Sequence, residues 1–306
     1  MTITTLCAAK RIVKATLTNQ LARFAPAWYV RFTGETGRGL DEETSAQAAR
    51  YFQRCFDDYF AKLGVAPSAI SAFLAGKHIL EYGPGDLPGV ALLMIAHGAE
   101  SVVCVDRFPL VQLSEKNLAV IQELLASLGK EAQQRAQNCM LEVNSPAAGF
   151  NPEFIRYHID PNGLSGLRDQ IDLVLSRAVL EHVNDLPATF NDMYVAMKRD
   201  AIAIHQVDLK SHGLHLSNPL DFLYWSESLW QLMYSHKGVP NRLRVNAYRA
   251  ILAQTGFDIV TLEPTLLADT SDVSLVRPKI AESFRHISDQ DLRWLGFWLV
   301  CRKKEN

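Results

Sequence analysis

A glycine-rich turn with an acidic residue in front of it is the first candidate for binding chemistry. Residues 78–93, HILEYGPGDLPGVALL, place Glu81 before Gly83 and Gly85, where a β-rich run gives way to a helical pattern. Glycines at such a junction let the backbone come close to a ligand. The run reads G-x-G-x-x-x-G, not the G-x-G-x-x-G of a dinucleotide site, and no P-loop Gly-Lys-Ser/Thr follows. The turn predicts a closely bound ligand and leaves its class open.

Two acidic residues narrow the choice of ligand. A carboxylate at Glu81, at the tip of the first strand, would repel a pyrophosphate and attract a cation. S-adenosylmethionine carries an ammonium and a sulfonium and has no phosphate. Asp106 ends the next β-rich run, SVVCVDRF, at a place where a carboxylate can accept hydrogen bonds from ribose hydroxyls. Together the two acids favour S-adenosylmethionine over a nicotinamide dinucleotide.

Histidines are the natural candidates for a general base, because the imidazole pKa lies near neutrality. His182 begins a helix beyond the fourth predicted strand, and His205 and Asp208 lie in AIAIHQVDLKSH. A base is needed only where the acceptor loses a proton during the transfer. We take His182, His205 and Asp208 as catalytic candidates, and a hydrogen-bonded structural role is the alternative for each histidine.

An aromatic-rich insertion at residues 218–244 is the predicted acceptor side of the site. It ends in Arg242 and Arg244, and guanidinium groups bind carboxylates and phosphates well. The hypothesis is an anionic small-molecule acceptor, with surface salt bridges as the alternative role for the arginines. The aromatic candidates for the pocket wall, which a buried helix face would explain equally, are Tyr224, Trp225 and Trp230.

Alternating strands and helices must position these residues. From Lys77 onward, β-rich runs occur at 78–82, 102–106, 154–159, 171–176, 201–208, 257–262 and 294–301. Helical patterns separate them at about 88–97, 112–129, 185–198 and 246–255. This alternation predicts an α/β fold with a doubly wound, Rossmann-like, mostly parallel seven-stranded sheet. Ligands in such sheets bind beyond the carboxyl ends of the strands.

Two regions are expected along the chain. Residues 1–75 show helical patterns without a strand signal, including an apolar stripe around Phe52 and Phe56. We predict a helical N-terminal extension there, which completes the core or, alternatively, covers the site. Residues 76–306 form the main domain, with the substrate-side insertion at about 210–244.

In order and spacing, these motifs resemble those of class I S-adenosylmethionine-dependent methyltransferases. The family's first and second motifs are similar to ILEYGPGD and VVCVDRF, and its fourth to IDLVLSRAVLEHVNDL at 171–186. A helix-Gly-Phe-strand segment near the family's C-terminus is similar to YRAILAQTGFDIVTLEP. The resemblance covers about residues 75–306 and implies an enzyme that uses S-adenosylmethionine.

The resemblance also implies roles for individual residues. The acid before the glycines would face the methionine ammonium, usually through water, and the acid ending the second strand would hold the ribose. Residues after the third strand would reach the adenine, and those closing the fourth would lie beside the methionine and the methyl group. The implied cofactor set is Glu81, Tyr82, Gly83, Pro84, Gly85, Asp106, Arg107, Asp160, Ser176 and Arg177.

The sequence predicts no metal site. His205 and Asp208 are three residues apart, so they point to opposite faces while the strand lasts. This separates two members of the set His205, Asp208, His212 and His215. Some relatives of the resembled family bind a divalent ion through Glu-x-x-Glu-His, but Ala178 stands here in place of the first ligand.

Two other functions remain as alternatives. Tyr194 and Lys198 match the Tyr-x-x-x-Lys pair of NAD(P)-dependent short-chain dehydrogenases, although the Thr-Gly-x-x-x-Gly-x-Gly pattern of those enzymes is missing. The lysine would also complement a helix dipole without any catalysis. A non-catalytic scaffold that binds the cofactor is the second alternative.

The composition is typical of a cytoplasmic globular protein. The 306 residues carry a net charge of −2, and nucleic-acid or membrane-surface proteins usually show a basic excess instead. The five cysteines include no C-x-x-C pair, which disfavours a disulfide framework. No apolar run approaches the roughly 20 residues that cross a bilayer. We expect a small-molecule acceptor, no nucleic acid and no membrane, and the sequence does not indicate an oligomeric state.

Overall fold

The computed structural model describes residues 3–33, 43–143 and 145–304. Its strands are β1 (His78–Tyr82), β2 (Ser101–Asp106), β3 (Ile155–Ile159), β4 (Ile171–Arg177), β5 (Met197–Asp208), β6 (Phe257–Leu267) and β7 (Trp294–Lys303). They form one sheet in the order β3-β2-β1-β4-β5-β7-β6. Strands β1 to β5 pair in parallel, and β7 runs antiparallel to β5 and β6. The predicted α/β, mostly parallel seven-stranded fold is confirmed.

Helices precede the sheet and cover both of its faces. They are α1 (Ile3–Phe24), α2 (Pro26–Thr33), α3 (Ser45–Leu63), α4 (Ile70–Leu74), α5 (Gly89–Ala96), α6 (Glu115–Ser127), α7 (Lys130–Asn138), α8 (Leu186–Ala196), α9 (Glu227–Tyr234), α10 (Val245–Thr255), α11 (Thr270–Val276) and α12 (Asp289–Leu292). Among the described residues, no helix combines the length and apolar character needed to cross a membrane.

Two helix boundaries differ from the sequence prediction. The helix predicted at 112–129 is α6 alone, and α7 follows after Gly129, which lies at its N-cap. The two buried residues of α7 are Ala132 and Ala136, so no large apolar side chains mark this helix in the sequence. The helix predicted at 185–198 ends at Ala196, and Lys198 lies in β5. There its ammonium lies 2.8 Å from Asp172, so the pair with Tyr194 does not share a helix face.

The sheet divides the core into two layers because neighbouring residues in a strand point to opposite faces. In β1, Ile79 packs with α3 and α5 in one apolar cluster. Leu80 and Tyr82 pack on the other face, in a cluster that includes Phe190 of α8 and Tyr248 of α10. The two faces are therefore covered by different parts of the chain.

The N-terminal helices belong to the core rather than standing apart from it. The α3 stripe, including Phe52, Phe56 and Tyr59, is buried in the cluster under α5. A capping box between Thr44 and Gln47 begins this helix, which satisfies backbone donors at its N-terminus. The predicted helical extension is thus present, and the division of the chain at residue 75 stays a prediction.

Helix α1 is held against the segment after α9. The Asn19 amide donates to the Leu232 carbonyl oxygen at 3.0 Å and accepts from the backbone N–H of His236 at 2.8 Å. The Lys237 ammonium donates to the Ala15 carbonyl oxygen at 2.9 Å. The N-terminal helices therefore fix residues that lead directly into the wall of the cavity described below.

Gly89 is predicted to set the distance between α5 and α3. A Cβ atom at this position would lie 2.5 Å from the Phe52 ring, so Gly89→Ala should lower the free energy of unfolding by about 1–3 kcal/mol through overpacking. Gly238→Ala is the matched control, since its Cβ would meet nothing closer than 3.7 Å. Urea unfolding of both variants measures the difference, and equal stability of the two would contradict this packing.

Candidate functional site

The turn between β1 and α5 requires glycine for geometric reasons. Gly83 has a φ of +67° and Gly85 a φ of +76°, a region that residues with a Cβ rarely adopt. A Cβ on Gly83 would lie 2.3 Å from a methyl carbon of Val179. The Gly83 backbone N–H donates to the Val105 carbonyl oxygen at 2.8 Å. The turn therefore packs closely against the end of β2 and the segment that follows β4.

A cavity of about 560 Å³ opens beyond the carboxyl ends of β1, β2 and β4. Its volume lies in the usual range for small-molecule sites, roughly 300–1,000 Å³. Six of the ten predicted cofactor residues line it, namely Tyr82, Gly83, Gly85, Asp106, Arg107 and Arg177. Among the catalytic candidates, His182 lines it.

Asp106 is one of two acidic residues in the cavity wall, and Glu43 is the other. Its Oδ1 accepts from the backbone N–H of Phe108 at 3.1 Å. Burial raises the pKa of this carboxyl to about 6, and the Arg107 charge and two backbone N–H donors oppose the rise. Cys104 and Tyr157 are the other titratable groups that interact with it. The carboxylate is thus costly to ionise without a ligand that donates to it.

Glu81 lies behind the glycine turn and not in the cavity wall. Because Tyr82 and Glu81 are adjacent in β1, they point to opposite faces of the sheet. The Cys104 thiol donates to Oε2 of Glu81 at 3.6 Å. Burial raises the pKa of Glu81 to about 7. The predicted contact with an ammonium group stays a prediction, and direct contact would need access through the turn.

Asp160 organises a loop instead of lining the cavity. Its Oδ1 accepts from the backbone N–H groups of Asn162 at 2.9 Å and Leu164 at 3.1 Å. This loop carries Gly163, which does line the cavity beside Arg107. The contribution of Asp160 to the site is therefore the shape of the loop, and the predicted contact with adenine has no support from the cavity wall. Pro84 also lies outside that wall.

Ser176 and His205 pair with each other away from the cavity. The Ser176 hydroxyl lies 2.8 Å from Nδ1 of His205, and the His205 ring packs edge-on against Phe190. Burial lowers the pKa of His205 to about 3. His205 does not line the cavity, so the arrangement favours the structural role that was its alternative, and the catalytic role stays a prediction.

Arg177 joins the end of β4 to α3. Its guanidinium lies 2.8 Å from the Asp58 carboxylate and stacks on Trp298, 5.6 Å from the ring centroid. Tyr51, from the same helix, and Glu43 just before it also line the cavity. The N-terminal region therefore both completes the core and covers part of the site, so the two roles weighed from the sequence coexist.

The segment after β4 places the His182 imidazole in the cavity wall and a buried carboxylate, Glu181, next to it in the chain. Residues Leu180–His182 form one turn of 3₁₀ helix, and Glu181 is buried with both carboxylate oxygens unpartnered. His182 and His212 both line the cavity, with ring centroids 4.8 Å apart. Burial raises the pKa of Glu181 and lowers that of His182. The sequence did not predict that Glu181, His182 and His212 lie together.

Asp208, the third catalytic candidate, lies next to that set but outside the cavity wall. Its carboxylate is 3.0 Å from the Lys210 ammonium and 4.0 Å from Nε2 of His212. The strand alternation expected from the sequence holds, because His205 is buried at Phe190 while Asp208 faces His212. His215 instead hydrogen-bonds to Ser211.

The predicted arginine anchors for an acceptor point into the protein. Arg242 donates to the Trp225 carbonyl oxygen and to Glu227, each at 2.6 Å, and stacks on Trp230. Arg244 donates to the carbonyl oxygens of Leu209, Leu292 and Trp294. Their terminal guanidinium nitrogens already bind groups of the protein and both side chains are buried, so the arrangement gives no support to an anionic acceptor, which stays a prediction. The aromatic candidates also lie outside the cavity wall, namely Tyr224, Trp225 and Trp230.

Apolar residues that the sequence did not single out line another part of the cavity. Phe108 and Leu110 follow β2, Leu214 follows β5, and Val239 and Pro240 follow α9. The predicted insertion at about 210–244 does supply cavity residues, but they come from its loops. No periodic signal marks such loop residues, so only the folded chain reveals them.

Arg244 is predicted to stabilise the fold rather than bind a ligand. Arg244→Leu should lower the free energy of unfolding by about 3 kcal/mol, because buried carbonyl oxygens lose a charged donor. Arg249→Leu, in the helix that Arg244 precedes, removes an ion pair with Asp291 from a side chain that is 40% exposed, so its cost should stay below about 1 kcal/mol. Chemical denaturation compares the two; equal losses would contradict the structural role.

A family model described as a methyltransferase domain matches residues 47–262, which is more than two thirds of the chain. The match begins inside α3 and ends inside β6. Comparison with curated protein sequences found no match.

Solved structures of several methyltransferases are similar to this chain. Magnesium protoporphyrin IX methyltransferase from Synechocystis, with S-adenosylhomocysteine bound, has 15% identity and a TM-score of 0.46 over 95% of this chain and 99% of that one. An S-adenosylmethionine-dependent methyltransferase from Mesorhizobium loti has 19% identity and a TM-score of 0.42, covering 77% and 96%. Phosphoethanolamine N-methyltransferase 2 from Haemonchus contortus has 18% identity and a TM-score of 0.40, covering 78% and 52%.

Proposed function

Because the chain belongs to the methyltransferase-domain family, we propose that it transfers the methyl group of S-adenosylmethionine to a small-molecule acceptor. The observation that carries the proposal is the Asp106 carboxylate, which shares one cavity with the Gly83 and Gly85 turn. A carboxylate there suits the ribose hydroxyls of a nucleoside, and the turn offers backbone without side chains. The class of acceptor is the finer part of the proposal.

The cofactor would lie on the β1 and β2 side of the cavity. Asp106 would accept hydrogen bonds from the ribose, and the Gly83–Gly85 backbone would face the methionine moiety. Arg107 and Tyr82 fix the walls, since the Arg107 guanidinium donates to the His182 carbonyl oxygen at 3.1 Å and the Tyr82 hydroxyl to Asp192 at 2.6 Å. These fixed walls support a pre-organised site.

The acceptor would lie on the opposite side, among apolar loop residues. Leu214, Val239 and Pro240 line that side, and among the catalytic candidates His182 also lines the cavity. Apolar walls with few polar groups are the usual lining of small-molecule sites. We infer an acceptor with an apolar body, and Arg242 and Arg244 no longer support an anionic one.

The protein itself takes little part in the covalent chemistry of methyl transfer. The methyl group leaves a sulfonium, so the donor is already activated, and the protein mainly aligns the nucleophile with the carbon–sulfur bond and excludes water. The S–CH₃ bond breaks as the acceptor–CH₃ bond forms, and the neutral thioether leaves. The tight turn at Gly83 and the covering residues of α3 support this role.

The dehydrogenase alternative finds no support in the arrangement of its residues. Lys198 lies in β5, paired with Asp172. Tyr194 packs against Phe257, with ring centroids 5.4 Å apart. Neither residue lines the cavity, so the pair is not placed to polarise a ligand there. A cofactor-binding scaffold without turnover is the remaining alternative, and it shares the predicted binding site.

Asp106 is predicted to control cofactor affinity. Its pKa in the unliganded protein is about 6, and ribose hydroxyls donate to its ionised form. Binding of S-adenosylhomocysteine should therefore weaken below about pH 6, approaching tenfold per pH unit. Asp106→Asn should bind about 10- to 100-fold more weakly at about pH 8, because a hydrogen bond to a charged group is lost. It should also lack the steep decline on acidification.

Titration calorimetry with S-adenosylhomocysteine and with NADH makes this test. The exposed Asp200 gives a matched control, Asp200→Asn, which should bind like the wild type. Wild-type affinity in Asp106→Asn, or binding of NADH alone, would reject the assignment of the cofactor.

A further inference from the structure

The Glu181 carboxylate is buried without a side-chain partner. The residue is 1% exposed, and neither carboxylate oxygen has a hydrogen bond of ordinary geometry, while the backbone N–H groups of Glu181 and Asp208 lie near enough to oppose the rise of its pKa. Burial of an unpaired carboxylate is unfavourable by several kcal/mol, and buried polar groups are nearly always satisfied. Glu181 therefore points to a missing positively charged partner at this place.

The imidazoles of His182 and His212 lie near the Glu181 carboxylate. Nε2 of His182 lies 3.8 Å from Oε1 of Glu181. One ligand atom from each of Glu181, His182 and His212 can be chosen so that all lie within 4.8 Å of one another. Nδ1 of His182 is also buried without a partner. Three potential ligand atoms thus converge from the loops after β4 and β5.

The neighbouring cations have other partners. The Lys210 ammonium pairs with Asp208 at 3.0 Å, and the Arg107 guanidinium donates to the His182 carbonyl oxygen and to Asn184. Within the part of the chain that the structure describes, the basic side chain that lies nearest to the Glu181 carboxylate is His182, with Nε2 3.8 Å from Oε1, and the Lys210 charge acts on it from farther away. No ammonium or guanidinium group of these residues forms an ion pair with Glu181.

We propose that Glu181, His182 and His212 bind one divalent transition-metal ion. Two imidazoles with one carboxylate favour Zn²⁺ or Fe²⁺ over Mg²⁺ and Ca²⁺, which prefer oxygen ligands. Ligand atoms around tetrahedral Zn²⁺ lie about 3.3 Å apart, given bonds near 2.0 Å, so the side chains need to close by rotation. His212 lies on an exposed loop, which leaves its ring room to do so. Asp208, 4.0 Å from Nε2 of His212, would orient that ring.

An ion at this place would face the acceptor. His182 and His212 both line the cavity, and three protein ligands leave coordination positions open. If the proposed methyl transfer is right, the ion would bind and orient an oxygen atom of the acceptor beside the methyl group. This role rests on the proposed function, whereas the binding of the ion does not.

Titration of the chelator-treated full chain with Zn²⁺, without cofactor, tests the site. Calorimetry should show one ion per chain, and Glu181→Gln and His212→Asn should each weaken binding at least about tenfold. Asparagine suits position 212, because His212 has a φ of +48° and asparagine tolerates that region. His158→Asn is the matched control on an exposed strand residue, and it should bind as the wild type does. Co²⁺ should give a visible ligand-field absorption that both ligand variants lose.

Each outcome decides the proposal. Absence of binding, or equal affinity in the wild type and both ligand variants, would overturn it. An equal loss in His158→Asn would show an adventitious ion only. Zn²⁺ should raise the Tm of the wild type and not of His212→Asn, since an ion that binds the folded state stabilises it; this comparison holds even if Glu181→Gln fails to fold. Unchanged binding of S-adenosylhomocysteine separates failure here from failure of the proposed function.

Discussion

The close approach of the Gly83 backbone to Val179 is the constraint on which the site depends. Because Gly83 has no Cβ, the turn after β1 can approach the segment after β4, and the Gly83 N–H donates to the carbonyl oxygen of Val105 near the end of β2. Three loops at the carboxyl edge of the sheet are thereby held together. The cavity, its acid at Asp106 and the turn carrying His182 all follow from that arrangement.

Two buried acids at this edge, Glu81 and Asp106, are costly to ionise in the unliganded protein. Glu81 has a pKa of about 7 against an ordinary value of 4.5, and Asp106 about 6 against 3.8. The folded state therefore holds more protons than the unfolded state between these values. Their contribution to stability is greatest at low pH and is lost as pH rises through the folded pKa. Ligands that donate hydrogen bonds or carry positive charge would lower the cost of ionising these carboxyl groups. This is a physical reason to expect S-adenosylmethionine rather than a dinucleotide.

The sequence predicted the sheet well because buried parallel strands form short, continuous apolar runs between helices. It also predicted that Asp106 and the glycines lie at the carboxyl edge of the sheet, because residues at the ends of parallel strands meet there. Glu81 shows the limit of that argument. Neighbouring residues in a strand point to opposite faces of the sheet, so Glu81 faces the layer opposite to that of Tyr82, which lines the cavity. Helix α7 was missed because its buried face is small.

The acceptor side could not be predicted, for a different reason. A buried arginine that binds carbonyl oxygens, such as Arg244, has the same sequence signal as one that binds a ligand. Glu181 and His212 meet only because two loops fold over the same strand ends, and their sequence separation carries no periodic signal. Docking of α1 on the segment near Lys237 likewise depends on contacts between distant parts of the chain.

Methyl transfer itself is the most direct test of the central claim. The chain should be incubated with S-adenosylmethionine carrying a radiolabelled methyl group and with a metabolite extract freed of macromolecules. We expect label in a small molecule other than the cofactor, and strongly reduced labelling with Asp106→Asn. Tight binding of S-adenosylhomocysteine together with no labelled product from any extract would contradict the claim and favour a cofactor-binding scaffold.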